Sequence, residues 1–336
     1  MESSKDRILS CMQPTGYLHF GRYFGAVQNW VNMQKEYQCF YGIVDYHAMT
    51  MPYNATALRE ATWNGIFGLI ASGIDPDNIF IQSLIPEHTE LAWILNCFAS
   101  YGETSRMTQF KDKTAQLGEK DKEAFISVGL FTYPVLQAAD ILMYKPKYVP
   151  VGKDQEQHLE LTRNIAIRLN NFVGKELLPV PEAKFTEIPK VMSTADPSKK
   201  MSASLGDKHN INVFAAPDQI RKQIKSAVTD VGTEPSDKMS PGVENLFSLL
   251  KASGDLTGYA TLMNAYHNQS LKYSELKETV GNALVSITDP MREKMNEIQA
   301  NKKEYKAKIK ASSERIRQIA KANLDGIKEA VGLMRV

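Results

Sequence analysis

Arg7 to Gly25 constrains this chain more than any other stretch. Ile8-Leu9-Ser10-Cys11-Met12 reads as a short buried strand, Gln13-Pro14-Thr15-Gly16 as a turn, and His19 onward as a helix reaching about Tyr37. Strand, Gly-containing turn and helix N-terminus together aim backbone N–H groups and the positive dipole end at one spot, which suits an anionic phosphate. Gly21 and Gly25 lie one turn apart, so a nucleotide or a neighbouring strand could come close to the helix backbone. An ordinary first βα unit without a ligand fits the same residues.

The chain then alternates. Cys39–Asp45 reads as a second buried strand ending in Asp45-Tyr46-His47-Ala48, and Asn54 is placed to cap a helix over Leu58–Ser72. Ile79-Phe80-Ile81-Gln82 makes a third strand, Glu87–Phe98 a helix, and Tyr148-Val149-Pro150-Val151 a further strand. This rhythm predicts a parallel sheet with helices on both faces. Ligands of such sheets sit beyond the carboxyl ends of the strands, where Gln13, Asp45, His47 and Gln82 fall. Gly102 to Glu123 breaks the alternation and reads as an insertion with basic residues, or as a mobile surface loop.

Gly129–Asp140 predicts a helix with Pro134 in its first turn. Tyr133, Gln137 and Asp140 share one face of it, and a buried carboxylate there suits a donor-only group such as an indole N–H. A purely structural polar cluster is the other reading. Gly152 and Asp154 follow the fourth strand, where Asp154 could accept from a ribose, cap the next helix, or do both. Val191–Asp207 is small, polar and bounded by Gly and Pro; its adjacent lysines and hydroxyls suit a polyphosphate clamp, or a domain linker. Beyond it the pattern is wholly helical, ending in one long helix from Pro290 with Ile309, Ile316, Ala320, Ile327 and Val331 on one stripe.

At 336 residues, 43% of them apolar, the chain can bury a full core and holds about two domains. No apolar run reaches a membrane span, and the first ten residues lack a signal-peptide core, so no membrane partner is expected and the cytoplasm is the expected compartment. Cys11, Cys39 and Cys97 are odd in number and widely spaced, which argues against both a disulfide framework and a zinc site. The net charge of +2 hides an asymmetry: residues 291–336 hold 12 Lys/Arg against 6 Asp/Glu. That basic end fits a nucleic-acid partner, or a solvated helix face with i,i+4 pairs such as Glu304–Lys308.

Pro14–Tyr23, with His19-Phe20-Gly21-Arg22 at its centre, resembles the HIGH signature of class I aminoacyl-tRNA synthetases, and Lys200-Met201-Ser202-Ala203-Ser204 resembles their KMSKS signature. Ile43–Ala48, Met107–Lys111, Tyr133-Pro134 through Ala139-Asp140-Ile141-Leu142, Gly152-Lys153-Asp154-Gln155 with His158, Asp196-Pro197 and Ile224–Asp230 are similar to the tryptophanyl-tRNA synthetase family in particular. The resemblance covers Leu9 to about Leu333. It implies a Rossmann-type α/β catalytic domain over 1–192 with an insertion at about 100–125, and a mobile KMSKS-like loop at 193–206. An all-α anticodon-binding domain over 207–300 and a C-terminal helix packing back over 301–336 would follow. The implied reaction turns L-tryptophan and ATP, with Mg2+ bound through the ATP rather than by a protein metal site, into tryptophanyl-adenylate and pyrophosphate. The acyl group then passes to tRNA(Trp), on a homodimer.

By the same resemblance Gln13, His19 and Gly21 would meet the ATP phosphates and adenine, and Gly152 and Asp154 the ribose. Val191 and Met201 would flank the adenine. Lys200, Ser202 and Ser204 would hold the departing pyrophosphate, with Lys111 and Lys113 from the insertion. Tyr133, Gln137 and Gln155 would bind the amino-acid end and Asp140 the indole N–H, with Ser10 and His47 nearby. Two residues depart from the family pattern: Ala203 replaces the second lysine of KMSKS, and Arg22 stands where a small polar residue or His is usual. Arg22 could supply the charge that Ala203 lacks. The alternatives are a tyrosine–tRNA ligase and a non-catalytic paralogue that binds RNA.

Overall fold

β1 (Arg7–Met12) occupies the middle of a five-stranded, all-parallel sheet of order β3-β2-β1-β4-β5. The computed structural model describes residues 5–120, 125–152, 155–185, 191–202, 205–229 and 238–334. After β1 come α1 (Phe20–Arg22), a π-turn over Tyr23–Val27, and α2 (Gln28–Met33), so the first helix bulges where the Gln28 N–H reaches back five residues to the Tyr23 carbonyl. The sheet half continues with β2 (Gln38–Ile43), α3 (Asp45–Ala48), α4 (Ala55–Ala71), β3 (Ile79–Ile81), α5 (Glu87–Asn96), α6 (Tyr101–Thr104), α7 (Thr108–Lys120), α8 (Val128–Met143), β4 (Tyr148–Val151), α9 (Glu156–Val173) and β5 (Glu182–Phe185). The helical half holds α10 (Pro217–Lys225), α11 (Pro241–Ser253), α12 (Leu256–His267), α13 (Tyr273–Ala300) and α14 (Lys302–Ala330).

Side chains alternate across the strands, and two cores result. Ile8, Tyr41, Ile79 and Ile81 face α4 and the first helix, and their core continues without a break into Leu246, Leu250, Leu276, Val280 and Leu284 of the helical half. Leu9, Phe40 and Phe80 face the other way, onto Leu91, Val135, Leu142 and Ile165, with Ile316, Ala320 and Leu324 of α14 closing that layer. β3 is an edge strand, and α14 covers it: Ser312 Oγ donates to the carbonyl of Ile79 at 2.8 Å and Ser313 Oγ accepts from the N–H of Ile81 at 3.2 Å.

Four local expectations change. β5 has no forecast in the sequence; Glu182–Phe185 is a short edge pairing with β4, too brief and too charged to stand out. Pro134 lies inside α8, not in its first turn, because Ser127 accepts from the Leu130 N–H and starts the helix earlier. Pro290 likewise lies within α13, and the break comes at Asn301, where α14 begins. The insertion is not a loose loop in its described part: Gln157 accepts from the Thr108 N–H at 2.9 Å to cap α7, and Arg168 forks onto Glu103 with two 2.7 Å bonds. Those bonds outweigh the opposing effect of burial and hold the Glu103 carboxyl below its ordinary range.

Candidate active site

In a sheet of order 3-2-1-4-5 the connections leave β1 and β4 in opposite directions, and a crevice opens between their carboxyl ends. A cavity of about 530 Å³ lies there, lined by Leu9, Ser10, Cys11 and Gln13 from β1 and Val149, Pro150, Val151 and Gly152 from β4. The π-turn adds Gly25 and Ala26, α3 adds His47, α7 adds Gln109 and Lys113, and α8 adds Tyr133, Gln137, Asp140 and Ile141; Gln155 completes the rim. Ser10, His47, Tyr133, Gln137, Asp140 and Gln155, the residues expected at an amino acid, all line this one cavity.

Asp140 is 2% exposed at its inner end. His47 Nε2 is 2.8 Å from Oδ2, His88 Nδ1 is 2.6 Å from Oδ1, and Gln82 Nε2 is shared between both oxygens at 2.8 and 2.9 Å. Burial alone raises the carboxyl pKa, but the hydrogen bonds and charges of His47 and His88 outweigh it and hold the value down to about 2. Asp140 is therefore an anion at neutral pH and can only accept. The cage is itself held: Gln82 Oε1 accepts from the Tyr46 N–H at 3.1 Å, and His88 Nε2 meets the Tyr144 hydroxyl at 2.8 Å. His88 and Tyr144 have no forecast in the sequence, since a histidine one residue into a helix reads as surface; here it is wholly buried and stacked on Phe80.

The mouth of the cavity differs in character. Tyr133 OH meets His158 Nε2 at 3.0 Å, Gln137 donates to Gln155 at 3.4 Å, and Lys113 Nζ stands 4.6 Å over the Tyr133 ring. Burial pushes the Tyr133 phenol up to about 12 and the Lys113 ammonium down. Lys113 therefore puts a cation in the cavity wall, whereas Lys111 is exposed and does not line the cavity.

The two signature-like stretches meet one helical turn before Gly25, which lines the cavity, although 180 residues separate them. Gly21 N–H points at Met201 Sδ 3.2 Å away, and a Cβ on Gly21 would lie 3.0 Å from Met201 Cβ. Met201 is fixed from the other side by its N–H to the Val191 carbonyl at 3.0 Å, and both residues are buried. From Val191 to Met201 the chain forms a bonded hairpin, with Ser193 N to Lys199 O at 2.8 Å and Asp196 accepting from Ser198 at its tip. His19 caps the first helix through Nδ1, 3.3 Å from the Arg22 N–H. Burial first, then the nearby charges of Arg22 and Lys200, lower its pKa to about 4, so its ring is neutral at pH 7. Lys200 is exposed. Of the residues expected at ATP, Gln13 and Gly152 line the cavity and His19, Gly21, Val191, Met201 and Lys200 gather at this junction; Ser202 follows it, while Asp154 and Ser204 lie outside the described residues, as does Ala203.

Comparisons with known proteins identify the family. A family model described as tRNA synthetases class I (W and Y) matches residues 1–289. The tryptophan–tRNA ligase of Clostridium tetani is 40% identical over 339 aligned positions, covering 99% of this chain and 98% of its own length, and that of Clostridium acetobutylicum is 41% identical with 99% of each covered. Among solved structures, the tryptophanyl-tRNA synthetase of Campylobacter jejuni in complex with ADP and tryptophan superposes with a TM-score of 0.82 at 35% identity, covering 97% of this chain and all of that one.

Proposed function

Since this chain belongs to the class I aminoacyl-tRNA synthetases of the tryptophan and tyrosine branch, we infer that its cavity joins L-tryptophan to ATP and then to tRNA. The activity is that of a tryptophan–tRNA ligase: the carboxylate of tryptophan attacks the α-phosphorus of ATP, tryptophanyl-adenylate forms, pyrophosphate leaves, and the acyl group passes to the 3′ end of tRNA(Trp). Asp140 carries the reading. A buried anion at the back of the cavity accepts one N–H, and the indole has one to give. Gln82 divides a single nitrogen between the two carboxylate oxygens, so an indole N–H would take the place of its longer, 2.9 Å contact on Oδ2 beside His47.

Positioning and charge do the chemical work, because phosphoryl chemistry asks for little covalent help. Tyr133, Gln137 and Gln155 would hold the amino-acid end, with Ser10 and His47 beside it. Gln13, neutral His19 and the backbone at Gly21 would meet the phosphates, Gly152 and Asp154 the ribose, and Val191 and Met201 the adenine. Lys200, with Ser202 and Ser204, would stabilise the departing pyrophosphate, and Lys113, in the cavity wall, would face the reacting carboxylate and α-phosphate. Mg2+, riding on the ATP phosphates, would neutralise their charge; among the described residues no group of three His, Cys, Asp or Glu side chains is placed to hold it.

A homodimer fits the exposed aromatic surface of α5, α6, the start of α8 and α9, where Trp93 is 73%, Tyr101 78% and Phe172 65% exposed. The tRNA partner puts the reaction where translation runs, the cytoplasm; no described helix is long and apolar enough to cross a membrane. ATP–pyrophosphate exchange tests the assignment. Tryptophan should support exchange and tyrosine should not, and Asp140→Ala should raise the tryptophan KM by at least about tenfold, because a site built around one donor discriminates strongly against its loss. Equal exchange with tyrosine would defeat it.

A further inference from the structure

We propose that α14 is a positioning element of the tryptophan pocket, acting through Ser313, Arg317 and Asn323 on the groups that hold Asp140. This rests on the reading that Asp140 accepts the indole N–H. Each of the three residues grips the chain one position away from a member of the Asp140 cage. Ser313 Oγ accepts from the N–H of Ile81, and the next residue is Gln82, which donates to both Asp140 oxygens. Arg317 Nε bonds both oxygens of Glu87 at 2.9 and 3.1 Å, and the next residue is His88, 2.6 Å from Asp140. Asn323 Nδ2 donates to the Met143 carbonyl at 2.9 Å, and the next residue is Tyr144, whose hydroxyl meets His88 Nε2.

A single such coincidence would be unremarkable in a packed helix. Three on one helix mean that the end of β3, the start of α5 and the end of α8 are all referenced to the same rigid rod. These are the segments whose separation sets the donor distances around Asp140. The His47 and Gln82 hydrogen bonds at 2.8 and 2.9 Å, and the 2.6 Å contact of His88 Nδ1 beside them, respond to shifts of a few tenths of an ångström, since such interactions weaken steeply as they lengthen. α14 also covers the β3 edge, so it has a structural duty as well, and the test must separate the two.

Arg317 is the residue to change: its side chain is 38% exposed, and removing it orphans no backbone group. In the full-length enzyme, Arg317→Ala should raise the tryptophan KM about three- to tenfold, the range seen for residues that bias a site without touching its ligand. The kcat for exchange and the KM for ATP should stay within about twofold. For an analogue with sulfur in place of the indole nitrogen the KM should not change, because the pathway ends at the acceptor of that N–H. Arg317→Lys should restore the tryptophan KM, and Asn323→Ala should repeat the pattern should Arg317→Ala fail to fold. Equal KM increases for tryptophan and the sulfur analogue, or no increase for either, would overturn the inference while leaving the Asp140 reading intact. A parent enzyme that binds the analogue as tightly as tryptophan would overturn the Asp140 reading and this inference with it.

Discussion

Gly21→Ala is the sharpest probe of the junction between the two signature-like stretches. The added methyl would lie 3.0 Å from Met201 Cβ and 3.1 and 3.2 Å from Nδ1 and Cε1 of His19. Contacts this short are tighter than carbon atoms prefer, so a neighbour must retreat by a few tenths of an ångström. The helix backbone is fixed by the Phe20 N–H bond to the Ile211 carbonyl at 3.0 Å, and His19 by its cap, so the hairpin carrying Met201 and Lys200 is the part that gives. Overpacking of this kind costs about 1–3 kcal/mol. A catalytic group displaced by about 1 Å loses on the order of a hundredfold in rate. A shift of a few tenths of an ångström should therefore lower single-turnover adenylate formation about two- to tenfold, with a fall in Tm of a few degrees. Gly25→Ala is the control: nothing lies within 4 Å of its Cβ, and alanine is the better helix former, so the free protein should be as stable as the parent or slightly more so. A Gly21→Ala enzyme with parental rate and Tm would show that the two stretches do not press on each other.

Two further outcomes follow from the charges at that junction. Lys200→Ala should slow adenylation about 10²–10³-fold, as loss of one preorganised transition-state contact does, and leave the tryptophan KM unchanged; an unaltered single-turnover rate would remove Lys200 from the clamp. His19 should titrate near 4 in the free protein and higher with pyrophosphate bound, read by NMR against a His19→Gln variant. Because its folded value lies below the unfolded one of about 6.5, the unfolded chain binds the extra proton first, and stability falls as pH drops from about 6.5 through 4. A midpoint near 6.5 with and without pyrophosphate would refute the crowded, cationic setting.

How far the sequence reveals this molecule depends on the range of each interaction. β1 through β4 are legible because a buried parallel strand writes its burial as a local apolar run, and the Asn54 cap because it bonds Ala57, three residues on. The face shared by Tyr133, Gln137 and Asp140 is legible for the same reason, helical spacing alone putting all three on the cavity. β5 is not, since four residues at a sheet edge are defined by their partner more than by themselves. His88 and Tyr144 are invisible for a different reason: His88 meets Asp140 from 52 residues away and Tyr144 meets His88 from 56, and no local pattern encodes either meeting. Ser312 and Ser313 read as polar positions on a helix until β3 supplies the backbone groups they satisfy.

Arg22 joins the legible and the illegible parts. Its side chain goes neither to solvent nor to a carboxylate: Nη1 donates to the Thr15 carbonyl at 3.0 Å and Nη2 to Thr15 Oγ1 at 2.8 Å. The guanidinium thereby ties the helix to the Gln13–Gly16 turn, where Gly16 takes the positive φ of 60° that the chain needs to reverse. Burial lowers its pKa, yet it remains charged at neutral pH, and that charge reaches His19 together with that of Lys200. A cation pinned in this way is already ordered beside His19 and would lose little rotamer entropy on meeting an anion. A lysine on the hairpin would still have to be ordered. Arginine at this position thus does two things a small polar residue cannot, bracing the turn and fixing a positive charge beside the histidine that caps the helix.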